Sequence, residues 1–151
     1  MRDILFSGKR IDNGEWVEGY YYKAKYYRSD NELTDFITIP HPETEHKGSD
    51  HIIVIPNTVG QYTGLTDKNG KKIFEGDILQ FDYEGKGRGV NGKGTVIFEN
   101  AKFGVKWGWH NEFVCLDGFA NTTLEVIGNI HDNPELLGGA DNDQKRMDFL
   151  T

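Results

Sequence analysis

Cysteine occurs once in the 151 residues, at Cys115, and proline and alanine four times each. A single thiol excludes an internal disulfide and supplies too few thiolates for a structural zinc site, which fits a reducing compartment. Four alanines are too few for a helical bundle, whose interior positions favour alanine and straight-chain residues. No apolar run nears the ~20 residues of a membrane helix. The start Met1-Arg-Asp-Ile-Leu-Phe-Ser-Gly8 is interrupted too early to be a secretory h-region, so the expectation is a soluble, unexported, cytoplasmic protein. Only three serines are present, Ser7, Ser29 and Ser49, and none sits in a strand-turn-helix nucleophile elbow. Basic residues are the minority, 17 Lys and Arg against 24 Asp and Glu, giving a net charge of -7. Such a surface repels a phosphate backbone on average, so nucleic-acid binding would need a segregated basic patch.

Glycine and aromatics are what the chain does have: 19 Gly, 9 Phe, 7 Tyr and 3 Trp. Each ring removes on the order of 150 to 250 Å² from water when buried, enough to build a core despite a hydrophobic fraction of only 36%. Period-two alternation dominates. Phe103, Val105, Trp107 and Trp109 fall on one side of an extended chain, with Lys102, Gly104, Lys106, Gly108 and His110 on the other. Leu79, Phe81 and Tyr83 alternate with polar residues in the same way, and Val96 and Phe98 continue the theme. Further strands are expected at Ile4 to Phe6, Trp16 to Tyr27, Asp35 to Ile39, His51 to Ile55, Glu112 to Leu116 and Thr123 to Ile130. Asp12-Asn13-Gly14, Lys68-Asn69-Gly70, Glu99-Asn100 and Asp117-Gly118 are turn signals between them. A helical turn is expected only at Asp132 to Leu137, where Asn133 can cap and Pro134 suits the first turn. Residues 138–151 read as a polar, mobile tail. Asn13-Gly14 then Glu18-Gly19, and Asn69-Gly70 then Glu75-Gly76, form a faint repeat that closes in Val59-Gly60 and Ile127-Gly128. It suggests two small barrel-like halves, about 1–65 and 66–137.

The chemistry is thin. Gly87, Gly89 and Gly92 satisfy a dinucleotide-binding spacing, but a strand, Thr95 to Phe98, follows where a helix N-terminus is needed to hold phosphate. Residues 85–94 therefore read as a flexible hairpin loop, in which Lys86, Arg88 and Lys93 could contact nucleic acid together with Lys102 and Lys106. His41, His46 and His51, with Glu43, Glu45 and Asp50, lack the paired spacing of a zinc site and read as solvated side chains of a long connection at 40–51. Cys115, flanked by Val114 and Leu116, is expected to be buried and inert. No carboxylate pair stands out as acid and base. Tyr20, Tyr21, Tyr22, Tyr26 and Tyr27 put rings on both faces of one strand, so a second subunit or the other half of the chain is expected to cover one set.

Several co-ordered segments carry a resemblance: Phe6-Ser-Gly-Lys-Arg10, Asp12-Asn-Gly-Glu-Trp-Val-Glu-Gly-Tyr20, Val54-Ile-Pro-Asn-Thr-Val-Gly-Gln-Tyr-Thr-Gly-Leu65, Asp67-Lys-Asn-Gly-Lys-Lys-Ile-Phe-Glu-Gly-Asp-Ile78 and Glu125-Val-Ile-Gly-Asn-Ile-His-Asp-Asn-Pro-Glu-Leu137. Over about residues 4 to 137 the chain resembles the YopX family of phage and prophage proteins. The resemblance implies a cytoplasmic protein of a phage or prophage of Gram-positive bacteria. It implies a mainly β fold of two tandem SH3-like barrels with exchanged N-terminal strands, and a tendency to ring-like homo-oligomers. The family has no established activity, so no catalytic, metal or cofactor residue carries over. Gly14, Gly19, Gly60, Gly64, Gly70, Gly76 and Gly128 then serve turns and bulges, Glu18 and Glu75 bond turn backbone, and Pro56 ends a strand. The expected function is a non-enzymatic accessory protein and homo-oligomeric protein-interaction scaffold. The alternative is a small-barrel nucleic-acid-binding module using the 85–93 loop and its neighbouring lysines.

Overall fold

The computed structural model describes residues 3–26, 32–40, 48–83, 90–119 and 123–138. It is mainly β, as the alternation predicts: eleven strands lie among the described residues, with helix limited to short 3-10 turns. The strands are β1 (Phe6–Lys9), β2 (Trp16–Lys25), β3 (Leu33–Pro40), β4 (Ser49–Ile53), β5 (Gly60–Thr66), β6 (Lys72–Phe74), β7 (Asp77–Tyr83), β8 (Val90–Glu99), β9 (Lys102–Trp107), β10 (Glu112–Cys115) and β11 (Glu125–Asn129). The expected C-terminal turn is present as a 3-10 turn at Pro134–Leu137. The chain divides into two compact units, Met1–Gly64 and Leu65–Thr151.

Two antiparallel sheets result, ordered β4-β3-β2-β1-β5-β6 and β10-β9-β8-β7-β11. Both are open, so barrel closure by hydrogen bonding is not found among the described residues. Nor is strand exchange by β1, which pairs with β2 and β5 inside the first unit.

In the first unit the core forms where β3 meets β1 and the Val54 bridge. Ile37 is fully buried and Val54 nearly so. Gly8 lets them close up, since a Cβ there would stand 2.9 Å from the Ile37 Cδ1 atom and 3.2 Å from Val54. The turn between β1 and β2 has the foreseen chemistry. Gly14 takes φ 73°, Asn13 Oδ1 accepts the Glu15 N–H at 2.9 Å, and Arg10 grips Asp12 through two hydrogen bonds of 2.9 and 2.8 Å.

The second unit packs Ile73, Leu79, Phe81, Val96, Val105, Leu116, Phe119 and Leu124 into one core. Full burial of each such side chain is worth about 1.5 to 3 kcal/mol. Phe81 is at its centre, edge-on to Trp107 at 5.3 Å and tilted against Phe119 at 4.7 Å. The β8–β9 hairpin turns through Asn100 and Ala101, both at positive φ (53° and 63°), which matches the right-handed twist of the strands.

Three expectations are corrected here. Residues 90–94 are strand, not loop: β8 starts at Val90, and Gly92 and Gly94 pair with Phe81 and Leu79. Their missing side chains make room, because a Cβ on Gly92 would come within 2.7 Å of the Phe81 ring, and one on Gly94 within 2.6 Å of the Lys106 carbonyl oxygen. These glycines admit large neighbours rather than phosphate. Trp109 leaves the aromatic stripe, because β9 ends at Trp107 and residues 108–111 turn, with φ 74° at Gly108 and 51° at Asn111. It is exposed and lies against His110. Cys115 is half-buried rather than buried, on the edge strand β10 opposite Gly104.

Candidate functional site

The tyrosines of β2 are divided between two faces by the pleat. Side chains alternate along a strand, and residues opposite one another on paired strands share a face. Tyr20, Tyr21 and Tyr22 lie opposite Thr38, Ile37 and Phe36 of β3, and Phe36, Ile37 and Thr38 lie opposite Ile53, Ile52 and His51 of β4. One face therefore carries Tyr20, Tyr22, Phe36, Thr38 and His51, and the other carries Tyr21, Ile37 and Ile52. Tyr26, just past the end of β2, joins the first face, its ring centroid 6.3 Å from that of Phe36. Tyr27 lies outside the described residues.

The Tyr21 face is structural. The ring packs at 5.3 Å on Phe6, and the hydroxyl donates a 2.7 Å hydrogen bond to Asp35 Oδ2. Asp35 is 5% exposed. Burial, then the hydrogen bond to Asp35 and its negative charge, push the Tyr21 phenol up to about 12.

The opposite face is a surface of rings. Tyr22 stacks almost parallel on Phe36 at 5.1 Å and meets His51 edge-on at 5.8 Å. The Tyr22 and Thr38 hydroxyls reach His51 Nδ1 at 2.8 and 3.0 Å, tying β2, β3 and β4 together. Phe36 is thereby covered, while Tyr20 remains 55% and Tyr26 46% exposed. This is an aromatic patch on an antiparallel sheet, with a polar triad of Tyr22, Thr38 and His51 set into it. The arrangement suits contact with another surface. His41 and His46 lie outside the described residues, and Nδ1 of His51 is taken up by the Tyr22 and Thr38 hydroxyls. Among the described residues no three His, Cys, Asp or Glu side chains gather as metal ligands.

The basic candidates belong to the second unit. Lys86 and Arg88 lie outside the described residues. Lys93 stands opposite Gln80, Lys106 opposite Thr95 and Lys102 opposite Glu99, which puts all three lysines on the face of β8–β9 turned away from Phe81 and Val105. Carboxylates sit among them: Glu99 Oε1 is 3.5 Å from Lys106 Nζ, and Glu125 Oε2 is 3.1 Å from Lys68 Nζ.

Several organising residues escape a reading by composition and spacing. Asp67 is 6% exposed; its Oδ1 accepts the Asn69 and Lys71 N–H groups at 2.9 Å each, and its Oδ2 accepts Val126 N–H at 3.0 Å. Burial alone would raise this carboxyl, but the three amides and the Lys71 charge outweigh it and hold it below the usual carboxylate range. Asp77 accepts the Phe74 N–H at 2.8 Å. Asn129 Oδ1 accepts from His131 and Asp132, and Asn133 Oδ1 crowds Gly128, where a Cβ would lie 2.6 Å away. The Asx-turn pattern of an Asp two residues before Asn-Gly was the available signal for Asp67. Its long-range bond to Val126 had none.

A family model described as YopX protein matches residues 6–138. Among solved structures, the crystal structure of protein EF1440 from Enterococcus faecalis is similar, at 27% identity and a TM-score of 0.50, with 91% of this chain and 99% of that one covered. No curated protein matches. Among the described residues no helix is long and apolar enough to cross a membrane.

Proposed function

The chain belongs to the YopX protein family, and from that premise we propose a phage- or prophage-encoded accessory protein that works without catalysis, as a homo-oligomeric scaffold for protein contacts in the host bacterial cytoplasm. The exposed aromatic face of β2–β4 carries this reading. Tyr20 and Tyr26, both about half exposed, flank Tyr22 and the ring of His51. Rings on a sheet surface supply large contact area at low entropic cost, since each has only two side-chain torsions to fix. The chain's charge of -7 favours protein over phosphate partners.

Light scattering tests the reading. The expected mass is a multiple of 17.2 kDa, falling to the single-chain value on Tyr20→Lys, which places a charge in the contact. A wild-type monomer at micromolar concentration would remove the reading's main support.

One observation favours a second reading, nucleic-acid binding: Lys93, Lys102 and Lys106 share a face. The Glu99–Lys106 pair weakens it by neutralising part of that charge. Steep loss of DNA or RNA retention with added salt would support it, and no retention at low salt would end it.

A further inference from the structure

The Tyr22 hydroxyl stands 2.8 Å from His51 Nδ1, and the Thr38 hydroxyl 3.0 Å from the same atom. A neutral imidazole nitrogen has one lone pair in the ring plane, so with the proton on Nε2 a single hydroxyl holds Nδ1 best. The phenol is nearer and the stronger acid, which gives it that place. Thr38 then flanks the bond. A nucleophile within about 2.6 to 3.2 Å of a base, with a third group orienting the base, is the arrangement that activates side-chain hydroxyls. Here the three side chains come from β2, β3 and β4, held in register by the backbone ladder. Tyr21, one residue away, points to the other face and gives its proton to Asp35, a carboxylate only 5% exposed. Tyr20 and Tyr26 are open to solvent, but His51 engages Tyr22.

We infer that Tyr22 is an acceptor for O-acylation: its oxygen attacks an activated, uncharged acyl donor while His51 takes the phenolic proton. The bond from oxygen to the acyl carbon forms as the bond from that carbon to the leaving group breaks. The proton passes to Nδ1 and from there to the departing group, which returns His51 to its neutral form. While Nδ1 carries the proton it is a donor between two oxygens, and Thr38 Oγ1 accepts from it as the Tyr22 oxygen becomes an ester. The product is an aryl ester on the sheet surface, and no turnover is required. Charge selects the class of donor. Among the described residues of β2, β3 and β4 no Lys or Arg lies on this face; Lys23 and Lys25 alternate to the other, and the charged residue in the row of Tyr20 and Tyr22 is Glu18. A phosphoanhydride would meet no counter-charge there, whereas a neutral acyl group can lie against the rings. The titratable groups that share the face of His51 on the packed strands are Tyr20, Tyr22 and Glu18 of β2. β3 presents Phe36 and Thr38, and Asp50 of β4 alternates to the other face.

Acetylation by N-acetylimidazole, an uncharged donor, tests the assignment. With limiting reagent at neutral pH, peptide mapping by mass spectrometry should find Tyr22 labelled about tenfold faster than Tyr20 or Tyr26, a smaller gain than in an enclosed active site because water reaches the pair. Hydroxylamine should remove the label, as it does from aryl esters and not from lysine amides. His51→Gln should bring Tyr22 down to the level of Tyr20. In the unmutated protein the ratio of Tyr22 to Tyr20 labelling should fall on acidification, as His51 takes up a proton, and His51→Gln should lack that fall. Thr38→Val should lower the ratio and Thr38→Ser should restore it. A contact that covers the face slows all three tyrosines, so their ratio is read independently of the oligomeric reading above. Tyr20 or Tyr26 labelled as fast as Tyr22, no label on Tyr22, or a ratio indifferent to pH would overturn the proposal. The pH profile needs no variant, so a folding defect in His51→Gln cannot mask the result.

Discussion

Replacing Asp67 with alanine removes one carboxylate that fastens two distant segments of the second unit. Its Oδ1 closes the Asp67–Lys71 turn and its Oδ2 holds Val126 at the start of β11. Hydrogen bonds to an ionised acceptor contribute about 1.5 to 3 kcal/mol each, so three set an upper bound well above what will be seen. Asn69 and Lys71 are exposed, and their amides can bind water in the variant. The burial cost of the charge also disappears. The remaining loss centres on the Val126 amide and the loosened turn, about 3 kcal/mol in total. At a urea slope of about 2 kcal/mol per molar, the midpoint should fall by about 1.5 M. Fluorescence of Trp107, packed against the core of the same unit, follows it. Asp67→Asn keeps one acceptor oxygen and should lose about half as much. Because the folded carboxyl is held below its ordinary range, its contribution is present above the unfolded value of about 4 and is lost as pH falls through the folded one. The wild-type advantage over Asp67→Ala should therefore shrink on acidification. A midpoint change below about 0.3 M, or an advantage that grows toward low pH, would refute the reasoning.

Gly94→Ala should destabilise the second unit by about 3 kcal/mol, because its Cβ meets backbone, the Lys106 carbonyl oxygen, which cannot swing away. Gly118→Ala, whose Cβ would make only an ordinary 3.5 Å contact with Val114, should lie within about 0.5 kcal/mol of wild type; thermal melts of the two variants check both. Tyr21→Phe leaves buried Asp35 Oδ2 without its donor and should cost about 1 to 3 kcal/mol in the first unit, read by denaturation. In the wild type the Tyr21 phenol is raised to about 12, so its stabilisation is intact below about pH 10 and lost as pH rises toward that value. An ultraviolet titration should show a late-ionising tyrosine that is absent in Tyr21→Phe.

Much of the fold was legible from local chemistry. Alternating runs became strands, often with ends shifted by a residue or two, and Asp12-Asn13-Gly14, Asn69-Gly70 and Glu99-Asn100 became turns. These signals are local, set by φ preferences and by the two-residue period of the pleat. The short strand β6 passed unseen, since three residues hold too little pattern to register. The Gly92 and Gly94 stretch misled for a related reason. Loop glycine and glycine beneath a packed ring look alike until the neighbouring strand is known.

Composition and motif order alone determined that the chain is an aromatic-rich β protein of the YopX family. Tertiary structure alone decided what those aromatics do. Tyr21 and Tyr22 are adjacent in sequence, yet one is bound to a buried carboxylate and the other lies on an exposed stack with Phe36 and His51. Which face is core depends on where β1, β3 and Val54 pack, and those contacts join residues up to dozens of positions apart. No local periodicity encodes them, because alternation says that two faces differ and not which of them another part of the chain will cover.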